Sequence, residues 1–474
     1  MSREFKLFID GEWVDGASVA EVRRPWDGEV AGTIAMGGPD HLEKALVATV
    51  GAAERMAALP AWRRRDILDG VVTGLLDRHE EMAEAIRDEA GKPIQYARGE
   101  TTRATQTFRF ASEEAGRLPD QSIDLGAVPT GEGRFGVVSR FPVGPVSAIS
   151  PFNFPLNLVA HKVAPAIAAG CPVVLKPASQ TPMAALILAE ICQEAGLPPG
   201  GLNVVPCDRH TADPLTTDER IKLLSFTGSP VVGWRMKERA GRKKVVLELG
   251  GNAAAIVHSD ADLATAVPRL GIGAFAYAGQ VCISVQRIMV HESLFADFSE
   301  AYSAEIADVL PVGDPSDPEV VCGPLIDSKN ADRIQAWTAE AIEAGATKLT
   351  GGERDGNVVR PTVLSNVPAA AKVSCLEAFG PIVVLAPYAT EAECIHKIND
   401  SDFGLQAGVF SDSLSFVWRC FNELEVGGVI HNDFPTFRVD HMPYGGVKDS
   451  GFGREGIHYA MDDYTERRIL AIKA

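Results

Sequence analysis

Residues 223–250 read LLSFTGSPVVGWRMKERAGRKKVVLELG. An apolar, β-rich run at 223–226 is followed by a Gly-Ser-Pro turn, a helical pattern that begins after Ser229, and a second β-rich run at 245–249. A helical pattern between two short apolar runs is typical of a βαβ unit, in which the two strands lie parallel. The segment therefore predicts an α/β fold.

The same alternation extends in both directions from this segment. Three β-rich runs precede this segment, at 145–150, 172–175 and 203–205. A helical pattern lies at 181–195. Short apolar strands separated by helical patterns favour a parallel sheet that is covered on both faces. After it come further helices, near 262–278, 293–309 and 329–344, and strands, near 286–291, 381–385, 407–410 and 427–431. We therefore expect a second α/β domain behind the first.

The first 140 residues follow a different pattern. Residues 5–14 read FKLFIDGEWV, and an Asp-Gly pair between two apolar runs predicts a β-hairpin. Helical spacing of apolar residues then begins at Asp40 and stops at Gly91, so we predict that the first 115 residues are mainly helical. The stretch 117–140 has many turn residues and little helical period, which indicates an extended excursion out of the domain.

Composition and charge exclude several classes of protein. A chain of 474 residues is long enough for about two to three domains. The formal net charge of −18 is unfavourable for binding nucleic acid or an anionic membrane surface. The longest relevant uncharged stretch, 143–160, is interrupted by three prolines and cannot form a simple spanning helix. We expect neither a nucleic acid partner nor a membrane segment.

The cysteines indicate a reducing compartment. Eight are present, without a CxxC pair and without a histidine at zinc-finger spacing, so we predict no metal site and no disulfide framework. The N-terminal residues MSREFKLFIDGEW are charged early and lack the apolar run of a secretory signal. The expected location is the cytoplasm.

Three residues are candidates for covalent chemistry. Cys282 stands between a helical pattern and a β-branched strand, where a thiol is either exposed at an element boundary or buried as a structural residue. Glu248 ends an apolar strand before two glycines, so it either faces a crevice or serves as a capping or ion-paired acid. Asn153 lies between two prolines, which would hold its amide rigid for an oxyanion or simply fix a turn.

Other residues have the properties of a nucleotide site. Gly228 and Ser229 lead from a strand into a helix, so their backbone N–H groups could face a pyrophosphate, although no GxGxxG motif occurs. Lys176, Ser179 and Gln180 follow the strand at 173–175. They would lie at its carboxyl end, where open α/β sheets bind their ligands.

Seven motifs occur in an order that is specific to one family. They are PFNFP at 151–155, KP at 176–177, FTGS at 226–229, LELGG at 247–251, GQVC at 279–282, EAFGP at 377–381 and PYGGVKDSG at 443–451. The chain resembles the NAD(P)-dependent aldehyde dehydrogenase superfamily over nearly its whole length. The segments GQVCIS at 279–284 and FRVDHMPYGGVK at 437–448 are most like the branch that handles lactaldehyde, glyceraldehyde 3-phosphate (without phosphorylation) and phosphonoacetaldehyde.

The resemblance implies a fold and a division of the chain. The fold would combine a Rossmann-type parallel-sheet cofactor domain, an α/β catalytic domain and a small β bridging element for oligomerisation. The cofactor domain would comprise 1–116 and 141–248, the catalytic domain 249–440, and the bridging element 117–140 and 457–474. This element would assemble a homodimer or a homotetramer, because a lone edge strand tends to pair across subunits.

The resemblance also implies a reaction. Cys282 would attack the aldehyde carbon as a thiolate, while Asn153 and the Cys282 backbone N–H would hold the oxyanion of the thiohemiacetal. Hydride transfer to the nicotinamide would leave a thioester, which water activated by Glu248 would hydrolyse to the carboxylic acid. The alternatives are a CoA-acylating semialdehyde dehydrogenase and a non-catalytic protein that retains the fold. Glu248 favours hydrolysis, because acylating members usually lack this acid.

The cofactor implied by the resemblance is NAD or NADP. Lys176 would contact the adenine-side ribose with Ser179 and Gln180 beside it, and Gly228 and Ser229 would face the pyrophosphate. Glu377 would bind the nicotinamide ribose, and Phe379 would pack beside it. Gln180 occupies or neighbours the place of the family's glutamate, and a neutral amide would not repel a 2′-phosphate as a carboxylate would.

The expected substrate is a small polar or anionic aldehyde. Arg109, Arg287 and Arg438 are candidates for binding an anionic tail, because a guanidinium forms paired hydrogen bonds with phosphate or carboxylate. Each could instead be a surface or ion-paired arginine. Arg438 precedes the PYGG motif, in a loop that borders the aldehyde entrance in the family. His161, on an apolar helical pattern, is predicted to be a packed core residue.

Overall fold

The computed structural model describes residues 3–117 and 120–473, and parallel sheets covered by helices dominate it. The strands are, in chain order, β1 (Arg3–Phe5), β2 (Leu7–Ile9), β3 (Glu12–Val14), β4 (Ser18–Arg23), β5 (Val30–Met36), β6 (Gln121–Asp124), β7 (Arg134–Pro142), β8 (Val146–Ile149), β9 (Val173–Lys176), β10 (Leu202–Val204), β11 (Leu223–Thr227), β12 (Lys244–Glu248), β13 (Ala253–Val257), β14 (Val285–His291), β15 (Thr347–Thr350), β16 (Arg354–Asp355), β17 (Val358–Val359), β18 (Thr362–Ser365), β19 (Ile382–Tyr388), β20 (Phe403–Gly404), β21 (Gln406–Phe410), β22 (Gly428–His431), β23 (Val447–Lys448), β24 (Gly451–Phe452) and β25 (Thr465–Lys473). The helices are α1 (Pro39–Ala57), α2 (Ala61–Asp77), α3 (His79–Ala90), α4 (Ile94–Ala115), α5 (Asn157–Ala169), α6 (Met183–Glu194), α7 (Pro214–Thr217), α8 (Pro230–Arg239), α9 (Leu263–Phe275), α10 (Phe295–Ala304), α11 (Ser328–Glu343), α12 (Lys372–Cys375), α13 (Glu391–Asn399), α14 (Leu414–Glu423) and α15 (Ile457–Tyr464).

An eight-stranded sheet forms the first half of the fold, in the order β24-β12-β11-β8-β9-β10-β2-β3. Its five central strands are parallel, and they are mostly apolar because helices cover both faces. Leu223 and Leu224 illustrate this, since they lie in two different hydrophobic cores. The chain runs from β8 outward to β10 on one side and continues with β11 and β12 on the other. Ligands of such sheets bind at the carboxyl ends of the strands where the order reverses, which is here between β8 and β11.

The N-terminal region is partly as predicted. β2 and β3 form the hairpin, with Asp10 and Gly11 in the left-handed conformation (φ 54° and 80°) that a tight turn requires. The prediction of a mainly helical start is correct only from Pro39 onward. Residues 18–36 instead form two strands of a small sheet, β1-β5-β4. These strands are only half-buried, so their sequences lack the continuous apolar run that marks a central strand.

A seven-stranded sheet forms the second half, in the order β15-β18-β19-β14-β13-β21-β22. All its pairings are parallel except that of β15 with β18. Parallel neighbours begin at the same edge of a sheet. The residues just before β13, β14 and β19, which include Gly251, Cys282 and Phe379, therefore come together at one edge.

A three-stranded antiparallel sheet, β25-β7-β6, joins the predicted extended stretch to the C-terminus. β7 runs on to Pro142, slightly beyond the predicted limit at 140. Leu118 and Pro119, within the same predicted stretch, lie outside the described residues. The division of the chain into three domains with the stated limits stays a prediction.

Across 3–117 and 120–473, we find no helix that is both long and apolar enough to span a bilayer. All eight cysteines are free thiols. Cys375 is exposed, Cys282 is half-buried and the other six are buried. Cys282 is therefore the only one of the eight that is neither fully enclosed nor on the open surface.

Candidate active site

Four of the predicted site residues lie at the carboxyl edge of the eight-stranded sheet. Asn153 follows β8, Lys176 ends β9, Ser229 follows β11 and Glu248 ends β12. The amino edge of the seven-stranded sheet supplies Cys282, in the loop before β14. A side-chain carbon placed on Gly251 would lie 2.1 Å from the carbonyl oxygen of Cys282, so the loop after Glu248 packs closely against the loop of the thiol.

Among the described residues, the thiol of Cys282 has one hydrogen-bond partner. Its sulfur lies 3.1 Å from the hydroxyl of Tyr444. Burial raises the pKa of Cys282 to about 12, although the hydrogen bond from Tyr444 opposes that effect. At neutral pH the thiol therefore holds its proton in this state, and the proton must leave before the sulfur can act as a nucleophile.

Asn153 is held against the loop of the nucleophile. Its side chain is buried, and its amide Nδ2 donates to the carbonyl oxygen of Gln280 at 2.9 Å. One amide hydrogen is used in this bond, and the other stays available to a ligand. An amide fixed in this way can donate to an oxyanion on a carbon bound to Cys282.

Glu248 is a buried carboxyl without a partner. Its side chain is 3 % exposed, and neither carboxylate oxygen has a hydrogen-bond partner among the described residues. Burial, and then the negative charge of Glu455, raise its pKa well above the ordinary value. Arg438 and Lys162 oppose this shift. Burial therefore favours the neutral form of this carboxyl and makes its ionised form a stronger base than an exposed carboxylate.

The predicted nicotinamide-side residues are also anchored to the loop after Glu248. The Gly251 N–H donates to Oε1 of Glu377 at 2.9 Å, and burial raises the pKa of Glu377 to about 7. A side-chain carbon on Gly250 would lie 2.5 Å from the other carboxylate oxygen. Glu377 lies in the loop before β19, and this loop continues through Phe379. The φ of Phe379 is 45°, and the centre of its ring lies 5.7 Å from that of Phe152. Only glycine allows the two loops to approach so closely.

The predicted adenine-side residues lie on the same edge. Lys176 donates to the carbonyl oxygen of Pro177 at 3.0 Å, and burial lowers the pKa of Lys176. Ser179 donates to the carbonyl oxygen of Cys207 at 3.4 Å, whereas Gln180 is exposed and donates to Asp327 at 3.0 Å. No carboxylate occupies position 179 or 180.

The start of α8 suits a phosphate. Pro230 has no N–H, and the N–H groups of Val232 and Gly233 donate to the carbonyl oxygen of Ser229, so the first turn of α8 offers an anion the N–H of Val231. The Gly228 N–H, predicted to face a pyrophosphate, donates instead to the carbonyl oxygen of Glu248 at 3.0 Å. A side-chain carbon on Gly228 would lie 2.6 Å from the ring of Phe226, so this position favours glycine. Together with Lys176 and Glu377, the residues along this edge fit a dinucleotide.

A cavity of about 440 Å³ ends at Cys282 and Tyr444. Arg438 lines it, stacked over the Tyr444 ring at 3.7 Å. Its Nη2 donates to Glu455 at 2.9 Å and lies 3.0 Å from Nε2 of His161, while its buried Nε has no acceptor among the described residues. The structure thus brings one predicted arginine to the cavity.

Sequence reasoning missed a second arginine of the cavity. Arg103 lines it and pairs with Asp440 at 2.8 Å. Its position could have been found, because Arg103 shares helical spacing with buried residues of α4 such as Glu100 and Thr107. Tyr444 and Lys92, which also line the cavity, were not singled out either.

Two predicted arginines do not reach the cavity. Arg109 is exposed on another face of α4. Arg287 is buried, but its guanidinium donates to the carbonyl oxygens of Asn252, Lys397 and Ile398. His161 is buried as predicted, yet its Nε2 contacts Asp440 at 2.9 Å as well as Arg438.

The fold and this arrangement are those of an oxidoreductase with a nucleotide-binding type of sheet and a thiol in the wall of a cavity. The chain belongs to the aldehyde dehydrogenase family, whose sequence profile matches residues 13–470. It is 43 % identical over 471 residues to a 3-sulfolactaldehyde dehydrogenase of Priestia megaterium, covering 99 % of this chain and 98 % of that protein.

Two solved structures are similar over nearly the whole chain. Aldehyde dehydrogenase 21 from Physcomitrella patens, in complex with the reaction product succinate, has a TM-score of 0.98 and 45 % identity, covering 100 % of this chain and 99 % of that one. The glyceraldehyde-3-phosphate dehydrogenase GapN from Methanocaldococcus jannaschii, complexed with NADP, has a TM-score of 0.92 and 37 % identity, covering 96 % and 99 %. The predicted family, branch and fold class are confirmed, and the cofactor prediction of NAD or NADP agrees with these relatives.

Proposed function

We propose that the protein oxidises a small anionic aldehyde to the carboxylic acid with NAD or NADP. The observation that carries the proposal is the cavity at Cys282, in which two guanidinium groups keep free donors. Nη1 of Arg438 and Nη1 of Arg103 have no acceptor among the described residues. Nη2 of Arg438 donates to Glu455, and Nε and Nη2 of Arg103 donate to Asp440, so these carboxylates fix the orientation of both groups. Sulfolactaldehyde and succinate, named for two relatives, are both anions, which supports this substrate class.

Three residues would perform the covalent steps. Cys282 would attack the aldehyde carbon as the thiolate, after its proton has passed to solvent, and the Asn153 amide and the Cys282 backbone N–H would stabilise the oxyanion of the thiohemiacetal. NAD or NADP, when bound, supplies the acceptor for the hydride whose loss turns the thiohemiacetal into a thioester. Glu248 then takes a proton from water, which hydrolyses the thioester and frees Cys282.

The residues at the sheet edge would hold the cofactor. Lys176, with Ser179 and Gln180, would bind the adenine-side ribose, and the start of α8 at Gly228 and Ser229 would bind the pyrophosphate. Glu377 would bind the nicotinamide ribose. Because positions 179 and 180 are neutral, we infer that the site accepts the 2′-phosphate of NADP as well as NAD.

We further propose a homodimer or homotetramer that works in the cytoplasm. The exposed edge strand β25, in which the apolar residues Ile469 and Leu470 are 56 % and 63 % exposed, supports the oligomer. The eight free thiols support a reducing compartment.

A panel of aldehydes tests the proposal. We expect reduced nicotinamide to form with sulfolactaldehyde, succinic semialdehyde or a phosphorylated aldehyde in preference to propanal, and the product to be the free acid. Added CoA should not convert the product into a thioester, which is what a CoA-acylating enzyme would yield. A Cys282→Ala variant is the control and should form no product. Absence of turnover with every aldehyde would contradict the proposal and favour a non-catalytic protein.

A further inference from the structure

Lys92 is a buried cation in the wall of the cavity, and the reaction scheme above does not use it. Its side chain is 1 % exposed and forms an ion pair with Glu100, which is also buried. Its Nζ lies 3.6 Å from the centre of the Phe154 ring and 4.7 Å from that of Tyr277. A buried ammonium needs such partners, because its charge is otherwise costly to bury.

The contacts with Phe154 and Glu100 hold the segment of Asn153, whose amide is the proposed donor to the oxyanion. Phe154 directly follows Asn153 in the chain. Oε1 of Glu100 accepts the N–H groups of Leu156 and Asn157 at 2.9 and 3.0 Å, at the start of α5. The ion pair of Lys92 with Glu100 therefore holds the segment that carries Asn153 at two points.

The contact with Tyr277 holds the turn that precedes Cys282, the proposed nucleophile. Tyr277 begins the turn that delivers Cys282, and Tyr277 and Ala278 both have a φ of 54°, which is unfavourable for residues with a side chain. Such a conformation persists only where the surroundings enforce it. The Tyr277 hydroxyl donates to the carbonyl oxygen of Ala90 at 3.1 Å, and its ring packs against the Lys92 ammonium. Residues 90–92 therefore hold the strained turn in place.

We propose that Lys92, anchored by Glu100, is a positioning residue that fixes the sulfur of Cys282 relative to the amide of Asn153. The inference rests on the proposed function. Lys92 contacts two segments, the one that carries Asn153 and the turn that leads to Cys282, and we call these contacts the Lys92 clamp. The two segments are joined by the 2.9 Å hydrogen bond from Asn153 to the Gln280 carbonyl. Loss of the clamp would let the turn relax, and the oxyanion would then form out of reach of its donor.

Substitution of Lys92 by methionine tests this, because it keeps the length of the side chain and removes the charge. We expect the pre-steady-state burst of reduced nicotinamide to slow by about 100-fold, the loss typical of a misplaced reacting group. The KM for the aldehyde and the Kd for the cofactor should change much less. Lys92→Arg, which keeps the charge, should recover part of the burst rate.

Glu89→Gln is the matched control. Glu89 is also buried and accepts the N–H groups of Met183 and Ala184 at the start of α6, as Glu100 does for α5, but it has no hydrogen bond to the segments of Asn153 or Cys282. We expect its burst rate to equal that of the wild type, whereas Glu100→Gln should behave like Lys92→Met.

The outcomes separate the two proposals. A wild-type burst rate in folded Lys92→Met would overturn the positioning role while leaving the proposed function intact. A wild-type enzyme that oxidises no aldehyde would instead overturn the proposed function. If Lys92→Met fails to fold, Phe154→Leu decides, since it removes one ring from the ammonium and keeps the ion pair. An unchanged burst in that folded variant would likewise contradict the clamp.

Discussion

The hydroxyl of Tyr444 lies 3.1 Å from the sulfur of Cys282, while the ring of the same tyrosine lies under the guanidinium of Arg438 at 3.7 Å. One side chain therefore connects the candidate nucleophile to a guanidinium that lines the cavity. A hydroxyl at this distance can donate to a thiolate, and the guanidinium favours the same negative charge. Tyr444 thus offsets part of the effect of burial on the thiol.

Removal of the Tyr444 hydroxyl should make Cys282 harder to ionise. Tyr444→Phe keeps the ring under Arg438 and loses only the hydrogen bond. Since a hydrogen bond to a charged group contributes about 1.5–3 kcal/mol, the pKa of Cys282 should rise by about one unit or more. The rate of alkylation by iodoacetamide, followed against pH, measures this change. An alkylation profile identical to that of the wild type would show that Tyr444 does not stabilise the thiolate.

Glu248→Gln should separate the two halves of the reaction. The thiol can still attack the aldehyde, but no base remains to activate water, so the acyl enzyme should accumulate. We expect a burst of reduced nicotinamide followed by a steady-state rate that is lower by about 10²- to 10⁴-fold. Mass spectrometry of the quenched protein should show the acyl group on Cys282. Steady turnover at the wild-type rate would exclude Glu248 as the base.

The pH dependence should reveal the raised pKa of Glu248 in two ways. Acid formation should fall as the pH drops through that raised pKa, because a protonated carboxyl cannot accept a proton from water. The folded protein favours the neutral form of Glu248. The contribution of this carboxyl to the free energy of unfolding is therefore present at low pH, and it is lost as the pH rises from the pKa of Glu248 in the unfolded chain towards its raised pKa in the folded protein. Urea denaturation should therefore show that Glu248→Gln gains stability relative to the wild type as the pH rises. A constant difference between the two proteins would contradict the shift.

The sequence predicts the sheets and the chemical groups better than it predicts which surface each group faces. Mostly apolar runs such as 223–226 indicate strands because both of their faces are buried. The half-buried strands at 18–36 have no such signature and were missed. Arg109 and Arg103 lie on one helix, and only the packing of α4 decides which of them reaches the cavity. Tyr444 gains its role from a contact across 162 residues of sequence, which no local pattern encodes.

Arg438→Ala should discriminate between charged and neutral substrates. Loss of the guanidinium should lower kcat/KM for succinic semialdehyde about tenfold or more relative to propanal, since a hydrogen bond to a charged group contributes about 1.5–3 kcal/mol. The ratio between the two substrates removes any general loss that comes from breaking the ion pair of Arg438 with Glu455. Arg98→Ala, at an exposed arginine of α4 that pairs with Glu80, should leave the ratio unchanged. Equal losses for both aldehydes would remove Arg438 from the substrate site.

Gln180→Glu should shift the enzyme away from NADP. The new carboxylate would lose the hydrogen bond to Asp327. At the adenine-side ribose, where we propose that residue 180 lies, it would repel a 2′-phosphate and could accept hydrogen bonds from the ribose hydroxyls of NAD. We expect the KM for NADP to rise about tenfold or more relative to that for NAD, because opposed like charges cost several kcal/mol. Steady-state kinetics with each cofactor at saturating aldehyde measure the ratio. A wild-type enzyme that rejects NADP completely would already refute this role of Gln180.

Light scattering should find a dimer or a tetramer at micromolar concentration, and charges on β25 should weaken it. Ile469 and Leu470 are both more than half exposed although successive strand residues point to opposite faces, so β25 exposes apolar surface on both sides. Lysine at both positions would place two charges in any contact with a second copy, and the apparent mass should fall towards that of the monomer. Val19→Lys, at an equally exposed residue of β4, is the control and should keep the wild-type mass. A wild-type protein that is monomeric would show that β25 does not mediate assembly.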